Sequence, residues 1–238
     1  MLLLILNYMK FTFKIGAKIK EAWPLYKENL GAFLILLLIT FVSSSLGGKN
    51  NHILGFVLFF VNILISYIWI CSILNLLDGK KFDPFVKETF PDLRQYWNFL
   101  STGILSFIII FIGFIFLIVP GLYFAGRLMF ASYIALEKNQ NAVDSIKESW
   151  DITKGYSWKI FGKAFIIGLF ILAGFIALFV GSFITYPVGM IVFVMLYREF
   201  KKWRLVNPVP VESKSEEKKE EVKVEIVKEA DVMKEEVK

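Results

Sequence analysis

VPGLYFAGRLMFASYIALEKNQNAVDSIKESWDITKGYSWKIFGK, residues 119–163, decides the fold. It opens with Pro120-Gly121 between two apolar runs and sets one arginine, Arg127, inside the second. It leaves the apolar regime at Glu137, passes through a charged amphipathic segment, and turns apolar again near Phe161. Apolar runs that alternate with charged connectors in this way are the pattern of a chain stitched through a bilayer.

The rest of the chain agrees. Of 238 residues 56% are hydrophobic and 25 are Phe, and the mean hydropathy is +0.60, well above a water-soluble domain. The fold class expected is therefore all-α: a polytopic membrane protein with about six transmembrane helices, interfacial amphipathic helices and a disordered charged C-terminal tail. The net charge of +6 is unevenly spread. From Glu212 onward there are 7 Lys against 10 acidic residues, which leaves 20 basic and 11 acidic residues in the body. A basic body around spanning helices suits the cytoplasmic leaflet, with the lipid bilayer and anionic phospholipids as partners. Nucleic acid is not expected, because no basic stripe lies on a water-soluble module.

Three regions follow. Residues 1–29 are expected to form an N-terminal interfacial helix, since Ile15, Ile19, Trp23 and Tyr26 recur on one helical face with lysines opposite. Thr12 suits its N-cap, and Pro24 is expected to bend it toward the first span. Met1–Leu6 lacks the basic lead and small-residue cleavage site of a signal peptide. Residues 30–204 are expected to be the six-helix membrane domain, with spans at about 30–46, 53–77, 99–119, 122–136, 161–183 and 186–197. The fourth is short enough that it either spans or forms a re-entrant hairpin with the third. Asp83-Pro84 reads as a helix start, with Phe82, Phe85, Phe90, Leu93 and Trp97 as its apolar side. Ala173, Ala177 and Gly181 form a small-residue ridge, and Pro187 falls in the first turn of the last helix. Residues 205–238 are a Lys/Glu-rich tail, a candidate contact for a cytoplasmic protein partner.

Topology comes from counting Lys and Arg between the spans. The segments run five, one (Lys49), four (78–98), none, four (137–160), none and four (198–204). Strict alternation places both termini in the cytoplasm and the chain in the cytoplasmic (inner) membrane. Trp23, Trp97, Trp150, Trp158 and Trp203 fall in segments assigned to that same face, where indole rings gather.

Arg127 is the main candidate for function, because an arginine inside a span faces protein, water or an anionic group. Two readings stay open: an anchor, or a contact for an anionic headgroup or substrate. Asn62 and Ser66, four apart in the second span, are either helix–helix hydrogen-bonding groups or further contacts. Asn141 with Asp144 reads as a helix cap, Val143, Ile146, Trp150 and Thr153 as one face of that helix, and Gly155 as the residue that ends it. No catalytic residues, cofactors or metal are expected. The chain has one His (His52) and one Cys (Cys71), no phosphate-binding glycine loop and no metal-ligand spacing.

The stretch carries a resemblance. Pro120, Gly121, Tyr123, Arg127, Glu137, Ser149, Trp150, Thr153, Gly155 and Trp158, with Pro187 and Tyr197-Arg198, resemble the membrane domain of bacterial glycerophosphodiester phosphodiesterases and related multi-pass proteins. The likeness runs from about Phe13 to Arg204. No phosphodiesterase catalytic domain follows in this sequence, so the resemblance implies a membrane module rather than that activity. The expected function is a non-enzymatic scaffold or lipid-associating module. The alternative is a permease-like protein using Arg127 and the break at Pro120-Gly121 to contact an anionic substrate, with Asn62, Ser66, Ser106 and Ser132 as its other polar groups.

Overall fold

The computed structural model describes residues 11–46, 52–176 and 181–207. Ala177 of the expected ridge and the tail beyond Asn207 lie outside the described residues. Among the described residues the chain is all-α, with nine helices: α1 Ile15–Glu28, α2 Leu30–Leu46, α3 His52–Leu77, α4 Leu93–Phe116, α5 Ile118–Leu128, α6 Ala131–Lys138, α7 Ala142–Thr153, α8 Ser157–Ile176 and α9 Ser182–Val206. Five stretches are long and apolar enough to cross a membrane: 53–77, 93–116, 118–138 (α5 and α6 together), 157–176 and 182–206. The pair α1–α2, bent by 91°, would make a sixth. The protein is thus a polytopic α-helical membrane protein.

α9 is the central post. Val188, Ile191, Val192, Val194, Leu196, Tyr197 and Phe200 are buried on all sides of it, as expected for a helix surrounded by others. Phe200 packs on Phe11 and Phe130, Tyr197 on Phe130 and Tyr133, and Tyr186 on Trp69. Near its C-terminal end, residues of α9 pair with three other elements. Arg198 holds Asp78 through both carboxylate oxygens (2.5 and 2.8 Å), Glu199 pairs with Lys18 of α1, and Lys201 pairs with Glu137 of α6. The compact body ends at Trp203.

The first helix departs from expectation at its cap and at its proline. α1 reaches α9 at two points. Lys18 reaches Glu199, and Tyr26 donates to the Phe183 carbonyl (3.1 Å). The buried stripe is Ala22 and Tyr26, flanked by half-buried Ile15 and Ile19, while Trp23 turns outward under Lys27. Lys14, not Thr12, occupies the N-cap, and Pro24 stays inside an unbroken helix. The corner comes at Asn29, whose Nδ2 donates to the Leu25 carbonyl (2.9 Å) while Oδ1 accepts from the Phe82 amide (3.2 Å). Phe82 then stacks on Phe33, 3.7 Å between ring centres.

Two prolines sit elsewhere than their motifs imply. The break before α5 falls at Leu117, whose backbone is extended (φ −170°, ψ 157°), and Pro120-Gly121 lies within the first turn of α5. The first turn of a helix has spare N–H groups, so a proline there costs nothing. Gly121 matters for contact instead: a side chain on it would strike the Phe114 ring, and its Cα lies against Gly113 of α4. Pro187 is not in the first turn but is the sixth residue of α9. It cannot donate to the carbonyl four residues back, Phe183, and that is the group the Tyr26 hydroxyl satisfies. Asp83 likewise starts a turn rather than a helix, accepting from the Phe85 amide (2.9 Å), and α4 begins only at Leu93.

α8 and α9 touch through glycine, and of the expected ridge Gly181 takes part. Ala173 is exposed, and the contact is Gly174, where any side chain would run into Thr185. Gly181 lies against the Gly174 backbone, and Thr185 Oγ1 donates to the Ile171 carbonyl (3.2 Å).

Two outcomes follow from these contacts. Tyr26→Phe keeps the ring but leaves the part-buried Phe183 carbonyl without its donor, so thermal unfolding in detergent should show a loss of about 0.5–1.5 kcal/mol. No loss would mean that the hydroxyl does not replace the missing proline donor. At Asp78, the hydrogen bonds from Arg198 hold the carboxyl below its ordinary value of 3.8. A carboxyl depressed on folding contributes stability above its unfolded pKa and loses it as pH falls through the folded value. Asp78→Asn should therefore lower the melting temperature at neutral pH, and the difference from wild type should vanish as pH falls through the depressed folded value. Because the Asp78 side chain is 53% exposed, solvent screening holds the difference to roughly 1 kcal/mol or less.

Candidate functional site

The candidate site is where the C-terminal ends of α5 and α7 meet. Each end leaves backbone carbonyls with no intrahelical donor, and inside an apolar body those groups need partners. They serve each other. The Arg127 guanidinium of α5 donates through Nη1 to the Trp150 carbonyl in the last turn of α7 (2.8 Å). In return, Ser149 Oγ of α7 donates to the Arg127 carbonyl (2.8 Å). Thr153 Oγ1 lies 3.2 Å from the same carbonyl and 2.7 Å from the Ser149 carbonyl, and its single hydrogen serves the nearer. A cation at a helix C-terminus also meets the negative end of the helix dipole.

Arg127 is 4% exposed. Its guanidinium lies over the Trp150 ring (4.4 Å) and near the Tyr123 ring (5.3 Å), while Tyr123 and Phe124 pack on Trp150. Its buried Nε has no partner among the described residues. Gly126 lets this corner close: a Cβ there would come within 2.9 Å of the Ser157 carbonyl of α8. Arg127 thus bridges the ends of α5 and α7 within its own chain.

The buried stripe of α7 consists of hydroxyls: Ser145, Ser149 and Thr153, continued by Ser157 in α8. It is not the Val143, Ile146, Trp150 and Thr153 face, since Val143 is exposed. Ser145 and Ser157 donate to the carbonyls of Asn141 and Thr153, four residues back, so their polarity is spent locally and their small size lets neighbours approach. The repeat of Ser or Thr every fourth residue from 145 to 157 was the available signal. Other expected features are present. Asn141 caps α7, accepting from the Asp144 amide (2.9 Å), and Gly155 ends it at φ +79°. Trp158 points outward.

Asn62 and Ser66 stand apart from this corner. Asn62 donates to the Leu58 carbonyl (2.8 Å) and accepts from Ser44 of α2 (3.3 Å), and Ser66 donates to the Asn62 carbonyl (2.9 Å). Among the described residues no hydrogen bond joins either to Arg127. A second polar group, found through the structure, joins Glu137 to Tyr197 (2.6 Å) and Lys201. Beside it, Glu148 accepts from Lys138 (2.7 Å) and Gln140 (3.2 Å).

The chain is similar to the uncharacterised proteins Rv2560 of Mycobacterium tuberculosis and Mb2590 of Mycobacterium bovis, each 30% identical over 163 residues. The match covers 66% of this chain and 47% of each relative, so the chain spans about half the length of the curated relatives it matches. No family model matches the chain, and no solved structure matches it.

If the hydroxyls close the end of α5, Ser149→Ala combined with Thr153→Val should cost about 1–3 kcal/mol in detergent unfolding, the penalty of an unpaired buried carbonyl. Ser145→Ala, which touches only its own helix, should stay within roughly 0.5 kcal/mol of wild type. Equal losses in the two variants would remove the capping role.

Proposed function

We propose that this chain is a non-enzymatic membrane scaffold that associates with lipid, a module of the kind the glycerophosphodiester phosphodiesterase membrane domain represents. One observation carries the reading: Arg127, the one arginine deep in an apolar stretch, is committed to a carbonyl and two aromatic rings of its own chain. A permease would need that charge on a path. Two openings in the body are lined almost wholly by apolar side chains, which suits hydrocarbon rather than an ionic solute.

The membrane placement proposed is the inner membrane with both termini cytoplasmic. In support, the ends that the Lys and Arg count assigns to one side come together in space. Asp78, Glu137 and Lys18 all pair with residues 198–201 of α9. Anionic phospholipids are the proposed lipid partners of this basic end, and the tail is the proposed contact for a cytoplasmic protein.

The test uses proteoliposomes of phosphatidylethanolamine and phosphatidylglycerol loaded with the full chain. The expected result is no uptake of inorganic phosphate above empty vesicles, for wild type and Arg127→Leu alike. Protein-dependent phosphate uptake that Arg127→Leu abolishes would establish the permease reading instead.

A further inference from the structure

The larger opening, about 520 Å³, lies between α2, α8 and the first turns of α9. Leu37 and Phe41 form one wall, Leu172 and Phe175 the other, and Tyr186 stands on the α9 side. No charged residue lines it. Its rim is open: Phe41, Leu172 and Phe175 are 51%, 50% and 52% exposed.

The glycines of α8 explain why the space exists. Gly174 is filled from outside, by Thr185. Gly168 lines the opening, and a Cβ built on it would meet nothing within 4 Å. Its missing side chain therefore produces a recess rather than a close helix contact, although a mid-helix glycine costs about 0.5–1 kcal/mol relative to alanine. Two of the hydroxyls in the wall are already used. Thr40 donates to the Leu36 carbonyl and accepts from Trp69, and Ser44 donates to Asn62. The Tyr186 hydroxyl, by contrast, bonds to no described residue.

We propose that this groove seats an acyl chain of a membrane phospholipid, an inference that rests on the lipid-associating reading above. Both long walls belong to stretches apolar enough to lie in a bilayer, so the exposed rim is continuous with the surface that faces hydrocarbon. A void there, left empty, would forfeit the dispersion contacts of every side chain lining it. The absence of charge selects a tail over a headgroup. The volume is that of a small-molecule site.

The experiment is native mass spectrometry of the full chain, extracted in mild detergent and exchanged until loosely held lipid is gone. Wild type should keep a phospholipid, identified by its mass as a glycerolipid rather than a free fatty acid. Gly168→Leu should fill the recess and lower the lipid-bound fraction roughly tenfold, as should Leu172→Trp from the facing wall. Circular dichroism checks that both variants keep wild-type helicity. Gly103→Leu, which fills the smaller opening of about 370 Å³ between α3 and α4, should keep the lipid. Retention at wild-type level in both groove variants, or a bound free fatty acid in place of phospholipid, overturns the proposal. So does a wild-type chain that floats with vesicles yet keeps no lipid after exchange. A wild-type chain that fails to float with vesicles overturns the lipid-associating reading itself.

Discussion

A carbonyl freed inside an apolar body has no water to turn to, and this constraint governs the structure. The chain interrupts its helices at two buried places. At Pro187 the interruption is chemical, since proline has no N–H to give. At Leu128 it is geometric, since α5 stops and α6 starts afresh at Ala131, three residues later. In each case a side chain from a distant element supplies the missing donor: Tyr26 for Phe183, Ser149 for Arg127. These bonds tie α1 to α9 and α7 to α5. The breaks that would weaken isolated helices are thereby converted into the joints of the bundle.

Arg127 fits the same logic. A buried guanidinium is expensive unless its charge is compensated, and among the described residues no carboxylate pairs with it. What it has instead is the carbonyl end of a helix and the faces of two aromatic rings, each a modest partner in water and a stronger one where solvent is excluded. An apolar residue in its place would leave the end of α7 short of a donor. The charge is held because it closes a helix.

Much of this was legible beforehand, and the rest failed for identifiable reasons. The long apolar runs of α3, α4, α8 and α9 announced themselves because lipid-compatible helices need length and little else. The Asn141–Asp144 cap and the Gly155 terminus were legible because they depend on neighbours three or four residues away. Pro120-Gly121 misled: proline and glycine mark a break when read alone, yet proline is at home in the first turn of a helix, and the extended residue is Leu117, which carries no signature. α1 misled differently. Its spacing gave an apolar face, but periodicity does not rank the members of a face, and here Ala22 and Tyr26 are buried while Trp23 turns outward. The hydroxyl stripe of α7 was missed because Ser and Thr count as polar in a binary pattern, whereas hydroxyls bonded to the preceding turn behave as small packing residues.

The two ends of α9 are held by different physics. Toward its C-terminus, Arg198, Glu199 and Lys201 pair with α3, α6 and α1, and Tyr197 adds a hydrogen bond to Glu137. Toward its N-terminus the links are a tyrosine hydroxyl on a carbonyl, a threonine on a carbonyl, and glycine contacts with α8. Ion pairs that bridge separate helices fix their relative positions over several ångströms, whereas glycine contacts hold only while the backbones stay close. The helices are thus pinned by ion pairs at the basic end and held by packing and two hydrogen bonds at the other. The groove lies at that second end, between α2, α8 and the start of α9. A cleft of this size stays open where nothing charged draws its walls together, and filling it would supply the contacts that this end otherwise lacks.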